Sequence, residues 1–132
     1  MFELSINGHF ASAHLLRGYD GPCKNLHGHT WKVEATIAGE KLDPIGLLVD
    51  FVQVKQVIRE VMGRLDHQFM NDLEPFKRVN PSAENVAKYF YDEVTRQLRG
   101  LPPGARVTDV VLWETDTSRA QYRPDILDAG TF

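Results

Sequence analysis

Between His14 and His29 the chain reads His-Leu-Leu-Arg-Gly-Tyr-Asp-Gly-Pro-Cys-Lys-Asn-Leu-His-Gly-His. Those sixteen residues hold three of its five histidines and its one cysteine. On an extended strand residues i and i+2 share a face, so His27 and His29 point the same way. Gly28 between them leaves the opposite face bare and lets another backbone approach. If the strand ending at His14 pairs with the one beginning at His27, a third imidazole converges on the same point. Three neutral nitrogens with an open fourth position are what zinc uses for Lewis-acid work on a substrate oxygen. Iron or copper would accept the same ligands. A single inward histidine is more often a satisfied core residue; three placed to converge are not explained that way.

Other groups could join this chemistry. Cys23, four residues before His27, reads as a fourth ligand closing a structural site, or as a free thiol beside an open one. A nearby cation would lower its pKa from ~8.5 and make it a general base. Asp66-His67 is the other acid–histidine pairing, although a helix C-terminus favours histidine for dipole reasons alone. Glu114, beside Trp113 near the end of an apolar strand, needs partners if buried. A heterocycle edge with paired N–H donors would supply them, and so would an internal arginine.

The elements that must position these groups follow from periodicity. Residues 2–14 alternate as a strand, with Phe10, Ser12 and His14 on one parity. The breakers Gly18, Asp20, Gly21 and Pro22 make 15–26 a loop returning to the same place. A second strand spans 27–38, with Trp31, Val33, Ala35 and Ile37 sharing the parity of His27 and His29. Asp50 caps a helix over 51–65 whose stripe is Phe51, Val54, Ile58, Val61, Met62 and Leu65. Ser82 caps a second helix to about 99, burying Ala83, Val86, Ala87, Phe90, Val94 and Leu98. Gly100, Pro102, Pro103 and Gly104 stop it. Strands over 106–115 and 119–123 complete the order β-β-α-α-β-β. This predicts an α+β fold, an antiparallel sheet with both helices on one face. Apolar residues on both parities of the strands predict that the other face is covered, most simply by a partner subunit.

Composition bounds the rest. A chain of 132 residues with 42% hydrophobic and 25% charged residues is expected to be one soluble domain. A net charge of −3 argues against general nucleic-acid binding. No apolar run reaches the ~20 residues that span a membrane. The first residues lack the basic and apolar regions of a secretory signal. A lone cysteine excludes a disulfide framework and suggests a reducing cytoplasm. His27-x-His29 followed by Glu34 loosely mimics a cupin metal motif. But Glu34 has the opposite parity, and two amphipathic helices stand where a cupin needs strands.

Taken in order, several motifs span nearly the whole chain: Ala13-His14, Cys23-x3-His27-Gly28-His29, Asp50-Phe51, Leu65-Asp66-His67-x3-Asn71, Pro81-Ser82-Ala83-Glu84-Asn85 and Trp113-Glu114-Thr115. Together they resemble the 6-pyruvoyltetrahydropterin synthase / 6-carboxytetrahydropterin synthase family. The resemblance implies the tunnelling fold, with trimers stacked into homohexamers around a barrel. It implies zinc on His14, His27 and His29, with Cys23 as base and Asp66 and His67 completing a proton relay, from a neighbouring subunit in some arrangements. It implies that Glu114 binds the pterin 2-amino and N3 edge, helped by Ser82 and Ala83. The implied substrate is 7,8-dihydroneopterin triphosphate. In the carboxypterin branch the side chain is cleaved, serving queuosine-type deazapurine synthesis; in the pyruvoyl branch it is kept. The short Cys-to-His-Gly-His spacing looks more like the carboxypterin branch. Cys23 departs from a third, folate-serving branch, which has Glu near that position. Ser82 stands where the family often has Thr. A pterin-binding paralogue without turnover is the contrasting reading, and the joint presence of Cys23, Asp66, His67 and Glu114 speaks against it.

Overall fold

The computed structural model describes residues 1–21 and 25–124. Strand β1 (Phe2–His14) and strand β2 (His27–Gly39) form a long antiparallel hairpin. Helix α1 (Phe51–Leu65) follows, then a two-residue strand β3 (Gln68–Phe69) and a 3-10 turn over Met70–Asp72. Helix α2 (Ala83–Gln97), strand β4 (Arg106–Thr115) and strand β5 (Ser118–Tyr122) complete the described chain. The sheet order is β3-β1-β2-β4-β5. The four long strands are antiparallel as expected, whereas β3 runs parallel to β1 through Ser12 and Ala13. Two residues carry no readable alternation, which is why β3 has no signature in the sequence.

Local signals set the helix starts. The Asp50 carboxylate accepts the Val52 N–H at 2.8 Å, and the Ser82 hydroxyl accepts the Asn85 N–H at 3.2 Å. Each side chain satisfies an N–H that the first helical turn leaves orphaned. Helix α2 ends at Gln97, two residues before the expected end, and Gly100 then takes φ 73°. Val54, Ile58, Val61 and Leu65 of α1 and Val86, Ala87, Phe90 and Val94 of α2 are buried. They share one core with Trp31, Val33, Ala35 and Ile37 of β2, so both helices cover the same face of the sheet. Phe51 corrects the expected stripe: at the first helical position it is 47% exposed.

The opposite face also differs from expectation. The register places Ser5, Asn7 and His9 of β1 beside Thr36, Glu34 and Lys32 of β2, and these beside Asp109, Val111 and Trp113 of β4. That face is mostly polar. Its large aromatic, Trp113, is masked by cations, with Lys32 Nζ 4.7 Å and the Arg119 guanidinium 5.7 Å from the ring. Apolar surface therefore gives this face no need for a cover.

Candidate metal centre

The hairpin register does the assembling. His14 lies directly opposite His27, and Ser12 opposite His29, so the three histidines occupy neighbouring positions on the helix-covered face. Glu114 reaches the same place from β4, on the parity of the buried Val110 and Leu112. Trp113 pairs with Arg119 and Thr115 with Ser118, leaving Glu114 as the unpaired extra residue. The ligand atoms of His14, His27, His29 and Glu114 all lie within 4.8 Å of one another.

The hydrogen bonds around the rings decide what the cluster can hold. His14 Nδ1 donates to the Pro81 carbonyl at 2.7 Å, and His27 Nδ1 donates to the Asn25 carbonyl at 2.7 Å. These partners assign the proton of each neutral ring to Nδ1 and leave a lone pair on each Nε2. The two Nε2 atoms face each other at 3.0 Å. Two lone pairs repel at that distance unless a cation or a shared proton lies between them. Burial works against the proton: desolvation is the largest influence on His14, which is 0% exposed, and lowers its pKa below the ordinary 6.5. His29 is lowered for the same leading reason, against the opposing pull of Glu114. His29 Nε2 is buried without a hydrogen bond, although Glu114 Oε1 stands 3.2 Å away. The contact is close enough for attraction but is not aligned as a hydrogen bond.

A tetrahedral zinc with bonds of ~2.0–2.1 Å holds its ligand atoms ~3.3 Å apart. The separations here are 3.0 Å for His14–His27, 3.2 Å for His29–Glu114 and 4.0 Å for His14–Glu114. The donor set and spacing fit a divalent ion. Trp31 forms the floor, 4.8 Å from the His14 ring and 5.4 Å from that of His29. Its indole N–H is already given to the Ser12 carbonyl at 3.1 Å, so it presents the site with carbon.

The buried rings predict a pH dependence of the metal-free fold. Unfolded imidazoles take protons near 6.5, whereas folded His14 and His29 resist protonation until lower pH. The unfolded chain then binds more protons, so stability is fully present above that value and declines as pH falls below it. The urea midpoint of the metal-free protein should drop between about pH 7.5 and about pH 5.5. An unchanged midpoint would mean these rings titrate in the fold as they do outside it.

Asp66 and His67 form a second group. Asp66 Oδ1 accepts the Ala11 N–H at 2.8 Å, which is the leading reason its carboxyl is held below the usual range. Asp66 Oδ2 lies 3.0 Å from His67 Nδ1. His67 adopts φ 58°, an uncommon conformation for a side-chain-bearing residue, and its N–H donates to the Ala11 carbonyl at 2.6 Å. The pair is thus pinned to the outer edge of β1, with the imidazole 82% exposed. It does not belong to the imidazole–Glu114 cluster. Ala83 and Glu114 do meet, in a cavity of ≈ 310 Å³ also lined by Glu84, Ser118 and Arg119. Ser82 serves as the α2 cap. Cys23 lies outside the described residues. The Pro81 and Asn25 carbonyls, which orient the ligands, escaped the sequence reading because a backbone carbonyl leaves no residue-type signal.

Fold and site together define an α+β protein with a three-histidine, one-carboxylate centre at the end of its sheet, beside an open cavity. The sequence profile of the 6-pyruvoyl tetrahydropterin synthase family matches residues 3–125, and the chain belongs to that family. It is 38% identical over 128 residues to the 6-carboxy-5,6,7,8-tetrahydropterin synthase of Bacillus subtilis, covering 93% of this chain and 86% of that protein. It is 35% identical over 108 residues to the 6-pyruvoyl tetrahydrobiopterin synthase of Poecilia reticulata, covering 78% and 70% respectively. The solved structure of Caenorhabditis elegans 6-pyruvoyl tetrahydropterin synthase superposes with a TM-score of 0.83 at 25% identity, covering 94% of this chain and 96% of that one.

Proposed function

We propose that this chain is a zinc-dependent 6-carboxy-5,6,7,8-tetrahydropterin synthase. It would convert 7,8-dihydroneopterin triphosphate and water to 6-carboxytetrahydropterin, acetaldehyde and triphosphate, in the cytoplasm, for queuosine-type deazapurine synthesis. The observation that carries the reading is the double position of Glu114. Its carboxylate stands 3.2 Å from His29 and also lines the cavity beside Ala83. A carboxylate suited to a guanidine-like ring edge thus adjoins a cluster suited to a metal. The bacterial relative at 38% identity supports the carboxypterin branch over the pyruvoyl one.

His14, His27 and His29 would hold the zinc, which when bound supplies Lewis-acid polarisation of side-chain oxygens. Glu114 would accept the paired N–H donors of the pterin, with Ser82 and Ala83 shaping the cavity wall. Asp66 would hold the His67 ring in one tautomer, leaving Nε2 to carry a proton. Cys23 as thiolate would take a proton from the side chain. From β3 to β4 is three strand spacings, ~14 Å, too far for His67 and Glu114 to serve one reacting centre in the same chain. We therefore assign Asp66 and His67 to the site of a neighbouring copy in a homohexamer. Among the described residues, β1 before Ser12 and the outer side of β5 lack strand partners, which suits edge-to-edge ring closure.

The test is incubation of zinc-loaded protein with 7,8-dihydroneopterin triphosphate, with products read by mass spectrometry. 6-Carboxytetrahydropterin with acetaldehyde is expected. 6-Pyruvoyltetrahydropterin as sole product would move the chain to the other branch. Pterin and zinc bound without turnover would make it a binding paralogue.

A further inference from the structure

Beyond His14 the chain is held by side-chain amides rather than by a strand. β2 pairs with β1 no farther than His14, and β3 only with Ser12 and Ala13. The next backbone groups would be left without partners. Asn71, in the turn after β3 and only 9% exposed, fills this gap: its Oδ1 accepts the Leu15 N–H and its Nδ2 donates to the Leu15 carbonyl, both at 3.0 Å. Asn80 repeats the arrangement two residues on. Its Oδ1 accepts the Arg17 N–H at 2.9 Å, and its Nδ2 donates to the Arg17 carbonyl at 2.8 Å. Each amide copies the donor and acceptor of one strand residue.

The clamps bracket the His14 ring. Asn80 precedes Pro81, whose carbonyl takes the His14 Nδ1 proton at 2.7 Å, and the Asn80 carbonyl itself accepts from Asn85 Nδ2 at 2.9 Å. Asn80 therefore ties the backbone beyond His14 to the residue next to the carbonyl that orients its ring, and Asn71 ties Leu15, next to His14, to the turn after β3. Asn71, Asn80 and Asn85 do no chemistry in the proposed reaction, and this gives them a task.

We propose that Asn71 and Asn80 are positioning residues for the metal centre. By fixing residues 15–17 against the segment before α2, they hold His14 Nε2 where it can share an ion with His27 and His29. The inference rests on the metal-centre reading above. Its test is zinc affinity of the metal-stripped protein by competition with a chromophoric chelator, alongside the melting temperature. Asn71→Leu is nearly isosteric and removes both bonds; it should weaken zinc ~10–100-fold, the usual effect of losing a group that orients a ligand. Asn80→Leu acts at the less buried clamp and should weaken zinc in the same direction, which keeps the test available if the first variant does not fold. Val61→Ala, in the core under α1, is the comparison: it should lower the melting temperature and leave zinc affinity unchanged. Wild-type zinc affinity in either folded asparagine variant would make the clamps merely structural and overturn the proposal. A wild-type chain that takes up no zinc would instead remove the metal-centre reading itself, and this inference with it.

Discussion

His27→Ala is expected to lose the metal and the turnover together. The ring is half buried at the first residue of β2, so its removal opens no core cavity. It does remove the nitrogen that stands 3.0 Å from His14 Nε2. His14, His29 and Glu114 remain, but a three-nitrogen site becomes a two-nitrogen one. Bound metal contributes several kcal/mol to stabilising charge in a transition state, so its loss should lower kcat/KM by ~10³-fold or more. The metal-free variant should melt at or slightly above the temperature of the metal-free parent, because two opposed lone pairs no longer face each other. Metal content by atomic absorption and rate by product formation check this together. His9→Ala makes the control, since His9 lies on the opposite face of the sheet opposite Lys32 and should leave both readings unchanged. A fully active His27→Ala protein without metal would take the imidazole cluster out of the mechanism.

What the sequence alone shows of this site depends on the kind of signal each residue leaves. His14, His27 and His29 were legible because strand parity and hairpin pairing are properties of residue order, and the register obeys them. The caps at Asp50 and Ser82 were legible because a side-chain oxygen before an apolar stripe has one common use. Glu114 was legible as a carboxylate needing a partner, but not as a neighbour of His29, because that depends on β4 lying beside β2, a long-range pairing that residue order does not state. The polar face was misread. Val111 and Trp113 stand on it, yet their neighbours across β2 are Glu34 and Lys32, and only the register reveals that mixture. Asn71 and Asn80 stayed silent because asparagine in a loop usually signals a local turn, whereas here each bonds to backbone 56 and 63 residues away in sequence.

Glu114→Gln is expected to weaken pterin binding more than metal binding. The change keeps shape and one acceptor oxygen while replacing a charged acceptor by a donor. A guanidine-like edge offering two N–H groups would lose one charge-assisted hydrogen bond and meet a like donor. Hydrogen bonds to charged groups contribute about 1.5–3 kcal/mol, so pterin affinity should fall roughly 10–150-fold. Zinc affinity should fall less than about tenfold, because three imidazoles keep their places. The pH response gives an independent reading. Glu114 raises the pKa of both His14 and His29, opposing their burial. Without its charge both rings favour the neutral, ligating form more strongly, which offsets the lost attraction, so the pH at which zinc is released should stay close to the parent's. The opposite pattern, with zinc released at higher pH and pterin bound as before, would make Glu114 a fourth ligand. His14, His27, His29 and Glu114 would then hold the ion together, and the carboxylate would be unavailable to the pterin edge.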